Sequence, residues 1–379
     1  MTLHSQERIT RFEQTYTDDL LRRLKTQLID EHPDGLMPRD AHPKMHGLVQ
    51  AEFIVHADIP AALKAGVFAQ ARTYSAWVRF SNASGTAKPD AKRDIRGMAI
   101  KLVGVSGQAV PGAADGVGEQ DFLLISTDVF LCRDLQVFDA MLRAVQGSLW
   151  NKLCFFVAHP GVVVRMLAAL KTFASPLTTR YFSSTPYVLG EAAVKYCATP
   201  ASTPTAGSAP AAASAPGSHF MRDAMQAQLR TGPAEFTFGI QLQTDALRMP
   251  VEDAATRWDE NLSPFVAVAT LRIAQQDFDN AARDRQGEDL RFSPWHCLAV
   301  HRPIGSINRA RRVVYHGISG LRRRVNGIAG DQRAEGDIIV DQVPETVSPK
   351  PVPLTVRAEL VEAGLHFHVP STGSGRTGL

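Results

Sequence analysis

The spacing of its strand-like runs constrains this chain more than any other feature. Val49, Ala51, Phe53 and Val55 alternate with Gln50, Glu52 and Ile54, a period of two with one mostly apolar face. Further runs follow at Ala76–Ser81, Gly97–Val103, Asp121–Ile125, Ala234–Leu242 and Pro264–Ala274, parted by clusters of Gly, Asn, Asp and Pro. Several lie too close together for the helical crossover that parallel pairing requires. The pattern therefore predicts antiparallel strands in a barrel or sandwich, an α+β fold rather than a doubly wound sheet.

Helical periodicity frames these runs. Ile9, Phe12, Tyr16, Leu20, Leu24 and Leu28 recur every three to four residues with charges between them, which predicts an amphipathic helix over about 5–28. The Pro-rich stretch from His32 to His42 reads as an extended approach to the first strand. Helices are expected over Arg133–Val145, Val162–Phe173 and Gln275–Asp284, and from Ile307 onward. Residues 198–218 (ATPASTPTAGSAPAAASAPGS) hold almost only Ala, Ser, Thr, Pro and Gly. Such a composition buries too little apolar surface to offset ordering, so it reads as a flexible insertion within one domain. The expected layout is an N-terminal helix (1–30), a main domain (31–370) and a disordered tail (371–379).

Composition narrows the function classes. With 41 basic and 38 acidic residues the chain carries a net charge of +3, no overall footprint for nucleic acid or an anionic membrane. Cys132, Cys154, Cys197 and Cys297 form no CxxC pair, which argues against a disulfide scaffold, a zinc knuckle or covalently attached haem. The first residues show no apolar h-region. The longest apolar run, Leu153 to Ala174, is broken by His159, Pro160, Arg165 and Lys171 and makes a poor membrane span. The expectation is a soluble, cytoplasmic protein.

Three segments set dense polar groups among apolar ones. Arg39-Asp40-Ala41-His42-Pro43-Lys44-Met45-His46 leads into the first strand. Arg79 lies between apolar residues in Trp77–Asn82, so its guanidinium needs an anionic or backbone partner; Asp94 or a ligand carboxylate would serve. Arg311, Tyr315 and Arg322 are spaced by four and seven residues, so a helix places them on one face. An arginine one turn before a tyrosine can hydrogen-bond its oxygen and favour phenolate, an oxygen ligand suited to ferric iron. The alternative is a basic helix surface in solvent.

These residues together resemble the catalase family. RDAHPK (Arg39–Lys44) looks like its distal segment, WVRFSNASG (Trp77–Gly85) like its VRFS strand, and RDIRGMAIKL (Arg93–Leu102) like its RDPRGFAVKF strand. RRVVY (Arg311–Tyr315), with Arg322 seven residues on, is similar to the proximal helix. His301–Tyr315 looks most like the short catalase-related bacterial haem proteins. The resemblance implies a catalase-like antiparallel barrel flanked by helices, without the large enzymes' C-terminal helical part, and haem b as cofactor. Tyr315 would ligate the iron with Arg311 holding it, Arg39, Arg79 and Arg322 would face the haem propionates, and His42 would be the distal base. His46 is a rival for that role, since one residue more than in catalases separates His42 from Phe53, which requires a bulge. The distal asparagine has no clear counterpart; Gln120 offers a similar amide, and Phe130 an aromatic over the haem. The implied activity is peroxidase or weak catalase on hydrogen peroxide or organic hydroperoxides, with a small peroxide as partner, no nucleic acid, and a homo-oligomer left open. The alternatives are a non-catalytic haem-binding or sensing protein and an enzyme that rearranges lipid hydroperoxides.

Overall fold

Alternation within the strands decides where the core lies. In β1 (Met45–Val55) Val49, Ala51, Phe53 and Val55 are buried, while Gln50 and Glu52 are exposed. The same period runs through β2 (Thr73–Asn82), β3 (Arg96–Val103) and β4 (Glu119–Ile125), which put Tyr74, Ala76, Val78, Phe80, Met98, Ile100, Leu102, Phe122 and Leu124 into one apolar cluster. The computed structural model describes residues 4–328, apart from 34, 40, 86, 112–115 and 202–218.

After β4 come three helices, α2 (Leu135–Gln146), α3 (Leu149–Ala158) and α4 (Pro160–Ala169). The chain then returns to the sheet through β5 (Tyr181–Phe182), β6 (Tyr187–Leu189) and β7 (Ala192–Pro200). Helix α5 (Phe220–Thr231) precedes β8 (Ala234–Leu242) and β9 (Val266–Ile273). The antiparallel order is β5-β4-β3-β2-β1-β9-β8-β7, and Tyr181 and Phe182 close the ring by pairing with Ala198 and Cys197 of β7. Eight strands thus form a barrel, and β6 extends the edge beside β7. Around it lie α1 (Glu13–Glu31), α6 (Ala281–Asp289) and α7 (Ser306–Val325). The expected barrel flanked by helices is what the chain forms.

Several boundaries differ from expectation. The first helix begins at Glu13, because the residues before it are held by charge: the Glu7 carboxylate meets Arg302 at 2.8 Å and Arg309 at 2.9 Å, and Arg309 also binds Glu13 and Glu252. The segment expected as one helix from Val162 is the second of a pair. Pro160 cannot continue the preceding helix, and α3 and α4 meet there at 96°. The helix expected at Gln275 begins at Ala281, capped by the Asn280 side chain accepting from Arg283 N. Helix α5 and strands β5 to β7 were not anticipated. Of the Ala- and Pro-rich stretch, residues 202–218 lie outside the described residues, as does the expected tail.

Candidate functional site

The barrel interior leaves no role for a ligand there. Phe53, Phe68, Phe122, Phe238 and Tyr196 fill it, with ring centroids 4.8 Å apart for Phe122–Phe238 and 5.0 Å for both Phe53–Phe238 and Phe122–Tyr196. The alternate residues of β2 and β3 point to the outer face: Arg79 and Ser81, paired with Ala99 and Gly97. His42 sits over this face. Its backbone adopts φ +58°, left-handed and uncommon for a side-chain-bearing residue, and two contacts hold it there. Arg79 Nη2 donates to its carbonyl at 3.0 Å, and its Nδ1 lies 3.0 Å from Ser81 Oγ. Gly97 makes the room, since a Cβ there would come within 2.5 Å of His42 Nδ1. Burial, and then the charges of Arg79, Arg311 and Arg39, push the His42 imidazole down to about 3, so it stays neutral.

Helix α7 forms the opposite wall. Arg311 Nη2 donates to Tyr315 Oη at 3.1 Å, and its Nη1 donates to Asn308 Oδ1 at 3.1 Å. Burial opposes the Arg311 charge, but Tyr315 and Tyr187 outweigh it, and the guanidinium is held above its ordinary value. Asn308 is itself fixed, taking a bond from Thr185 Oγ1 and donating to the carbonyls of Pro186 and Ile304. Phe130 packs on Phe138 at 5.4 Å and joins the cluster of Ala310 and Val314, beside the turn that carries Tyr315.

Three arginines from three segments meet at one end of these walls. Arg79 Nη2 lies 3.6 Å from Glu288, Arg322 Nη2 lies 3.4 Å from it, and Arg39 Nε lies 3.9 Å away. Arg39 also donates to the carbonyls of Gly287, Glu288 and Leu290, the C-terminal end of α6. Burial lowers all three guanidinia, helped at Arg39 by Arg79 and Arg322, at Arg79 by Arg322 and at Arg322 by Arg323; Arg79 falls to about 10. Buried Nε atoms on Arg39 and Arg79 have no hydrogen-bond partner among the described residues.

Other residues singled out in the sequence fall elsewhere. The expected bulge is present, as a register shift in the β1–β2 pairing between Met45 and Gly47, and it turns His46 out of the ladder. His46 Nε2 lies 2.6 Å from Asn82 Oδ1, and Asn82 also binds Arg96, within a buried network that includes Asp90 and Lys44. Burial brings His46 down to about 4. Gln120 shares the parity of Phe122 and Leu124 and faces the barrel end, where its Oε1 accepts from Leu298 N at 3.1 Å; it is not brought to the His42 face. Asp94 is not the partner of Arg79: it accepts from Ser84 N and Ile95 N instead. The sequence reading missed Glu288, because a half-buried acid at a helix end has no local pattern. It also missed a buried group in which Lys101 pairs with Glu119 and with Asp121 (2.8 Å), and Asp121 lies 3.1 Å from His296. Lys101 is shared between those two carboxylates, and Asp121 anchors Ser293 N, which seats Trp295 so that its Nε1 donates to Asn308 O at 2.8 Å.

A family model described as Catalase matches residues 27–153, the segment from the end of α1 through β1–β4 into α3. The structure of a fungal catalase superposes with a TM-score of 0.60 at 17% identity, covering 80% of this chain and 62% of that one. A bacterial catalase gives 0.59 at 17%, covering 88% and 69%. The fold is catalase-like. Catalase A from Saccharomyces cerevisiae gives 0.57 at 18%, covering 80% of this chain and 64% of that one. The catalase-like chain thus spans between 62% and 69% of the length of these three structures. No curated protein matches it in sequence. The matched family segment contains Arg39, His42 and Arg79, whereas Arg311, Tyr315 and Arg322 lie beyond it.

Proposed function

We propose that this catalase-like chain binds haem b between the outer barrel face and α7 and acts on hydrogen peroxide or organic hydroperoxides as a peroxidase or weak catalase. The observation that carries the reading is the convergence of Arg39, Arg79 and Arg322 at one end of a pair of walls whose other members are His42 and Tyr315. Three buried guanidinia share Glu288, with Asp289 nearby, and two of their Nε donors are unmade. Such a cradle fits a group bearing two carboxylates at one edge, because planar guanidinium forks take carboxylates bidentately.

Haem b, when bound, supplies the iron at which peroxide is reduced. The chain's own contribution follows from its geometry. Arg39, Arg79 and Arg322 would hold the propionates and set the orientation of the group. Tyr315 Oη would be the iron ligand, and Arg311, 3.1 Å away, stabilises negative charge on that oxygen. His42 is neutral and therefore free to accept a proton at Nε2 from one peroxide oxygen and return it to the other. Ser81 at Nδ1 fixes the ring. General acid–base catalysis of this kind contributes roughly 10²–10⁴ in rate.

The test is the optical spectrum of the purified chain with ferric haem b, beside that of Tyr315→Phe. The wild type should take up one haem with a high-spin spectrum and a phenolate-to-iron band, and the variant should lose that band. Addition of peroxide should then change the wild-type spectrum transiently. Stable haem uptake without any response to peroxide would leave only a binder. No haem uptake by folded wild type would overturn the reading.

A further inference from the structure

Helices α3 and α4 are turned inside out. Surface helices ordinarily send their apolar stripe to the core and their charges to water. Here Leu149, Trp150, Leu153 and Val157 of α3, spaced at helical intervals, all face outward, with Trp150 69% and Val157 72% exposed. On α4 the outward stripe is Val164 and Leu167, with Pro160, Gly161 and Ala168. The cations take the opposite direction: Lys152 is buried on the inner side, and Arg165 Nε donates inward to Leu131 O at 2.7 Å. Phe155 and Val162, with the half-buried Phe156, anchor the pair to the body, against Cys132, Val137 and Ala144.

We propose that this bent helical pair is a monotopic docking surface for an anionic phospholipid bilayer. Charge selects the occupant. From Ala140 to Gly190 the chain has no Asp or Glu but five basic residues; Arg143 pairs with Asp19 and Asp139, and Arg180 with Glu260, which leaves Lys152, Arg165 and Lys171 as a local cationic excess that the balance of the whole chain hides. Lys152, Arg165 and Lys171 meet no carboxylate among the described residues. Lysine stems buried beside an apolar stripe can swing their heads to lipid phosphates while the stripe enters the acyl boundary.

Length decides how the surface sits. Each helix has 10 residues, about 15 Å at 1.5 Å per residue, half of a hydrocarbon core of about 30 Å. No single helix among the described residues is long and apolar enough to cross a membrane, and the 96° bend turns the pair into a shallow wedge instead of a span. Trp150, exposed at the N-terminal end of α3, has the amphipathic ring that favours the bilayer interface. The inference is independent of haem binding.

Flotation of the full chain with vesicles tests it directly. One set contains phosphatidylglycerol and phosphatidylethanolamine, the other phosphatidylcholine alone. The wild type should partition at least tenfold more strongly into the anionic set, and 0.5 M salt should reduce that binding. Of the four tryptophans Trp150 is exposed, Trp258 and Trp295 are buried, and Trp77 is half-buried on β2 under Arg283, away from α3 and α4, so a blue shift of tryptophan emission on binding should vanish in Trp150→Phe with flotation retained. Leu153→Glu with Val157→Asp should abolish flotation at unchanged melting temperature. Equal or absent binding to both vesicle sets would overturn the proposal. So would a dimer in light scattering that the double variant splits, since the face would then belong to a second copy of the chain.

Discussion

At Glu288 three guanidinium groups share a carboxylate that is 39% exposed. Removing its charge should act in opposite directions on the free and the haem-bound chain. In Glu288→Gln the free chain keeps three buried cations with less compensation, and its melting temperature should fall, by analogy with breaking a partly buried pair. A dicarboxylate ligand then meets no competing carboxylate, and haem affinity should rise about threefold to tenfold, a difference of roughly 0.7–1.4 kcal/mol. A titration showing weaker haem binding in this variant would sink the view of the cradle as a carboxylate site. The two histidines divide just as sharply. Among the described residues His42 is bound by Ser81 and Arg79, and it stands on the outer face, so His42→Ala should leave haem uptake intact and lower the peroxide rate by about 10²–10⁴. His46 is packed with Asn82, Arg96, Asp90 and Lys44, so His46→Ala should lower stability by about 1–3 kcal/mol through stranded polar groups. Its rate per bound haem should stay near that of wild type. Stopped-flow rates beside thermal melts separate the two.

At the scale of elements, the strands that carry the site were legible and much of their surroundings was not. Strands β1 to β4, β8 and β9 show a period of two because one face meets the barrel interior and the other meets solvent or the site, and that asymmetry is written locally. The β1 bulge was legible too, as an extra residue between His42 and Phe53. Strands β5 and β6 were hidden because two or three residues cannot display a period; their position comes from ring closure, a long-range event. Helix α4 was expected at Val162–Phe173 and lies at Pro160–Ala169, and α3 was not expected, because the apolar run around them shows no separate polar face that would mark where one helix ends and the next begins. In the site, Arg311 and Tyr315 were legible from helical spacing, whereas Glu288 and the turning away of Gln120 and Asp94 depend on packing between distant segments. Strand β3 yields a test of its own. In Gly97→Ala the new Cβ would meet His42 Nδ1 at 2.5 Å and Ser81 Oγ at 2.8 Å, and Gly97 lies opposite Ser81 in the ladder, where the backbone cannot yield without breaking register. The His42 ring must therefore move. Peroxide turnover should drop by more than tenfold while the Tyr315 ligand band is kept. Full turnover in this variant would show that His42 does not work from its observed position.

Over the whole molecule, three desolvated histidines tie stability to pH: His46 and His301, which are buried, and the half-buried His42. Burial pushes His42 and His301 to about 3, and His46 to about 4, against an ordinary value near 6.5. The folded chain keeps them neutral: His301 Nε2 accepts from Val67 N at 3.0 Å with its ring edge-on to Phe68, and His46 and His42 are held by Asn82 and Ser81. The unfolded chain protonates all three below pH 6.5. Between that pH and about 4 the unfolded state therefore binds more protons, so stability rises with pH across this window and is lost as pH falls through it. At pH 5 each histidine contributes about 2 kcal/mol of loss, and three together approach the whole stability of an ordinary domain, about 5–15 kcal/mol. Asp94 opposes the trend, since burial raises its carboxyl, but it is a single group. Melting temperature should be nearly flat from pH 8 to 7 and fall steeply from 6.5 to 5. The same neutrality shapes the rate. His42 needs no deprotonation above pH 6.5, so peroxide turnover should show no acid limb of its own, and its decline below pH 6 should coincide with the loss of fold seen by circular dichroism. His301→Gln separates the two effects: it removes one buried histidine that packs on Phe68 and Val67 and not on the His42 face, so the acid end of the melting profile should shift down in pH and the rate profile should move with it. A rate that falls near pH 6.5 in chains that remain fully folded would mean that His42 titrates as an exposed imidazole, and that the desolvated placement of this residue does not hold in the working protein.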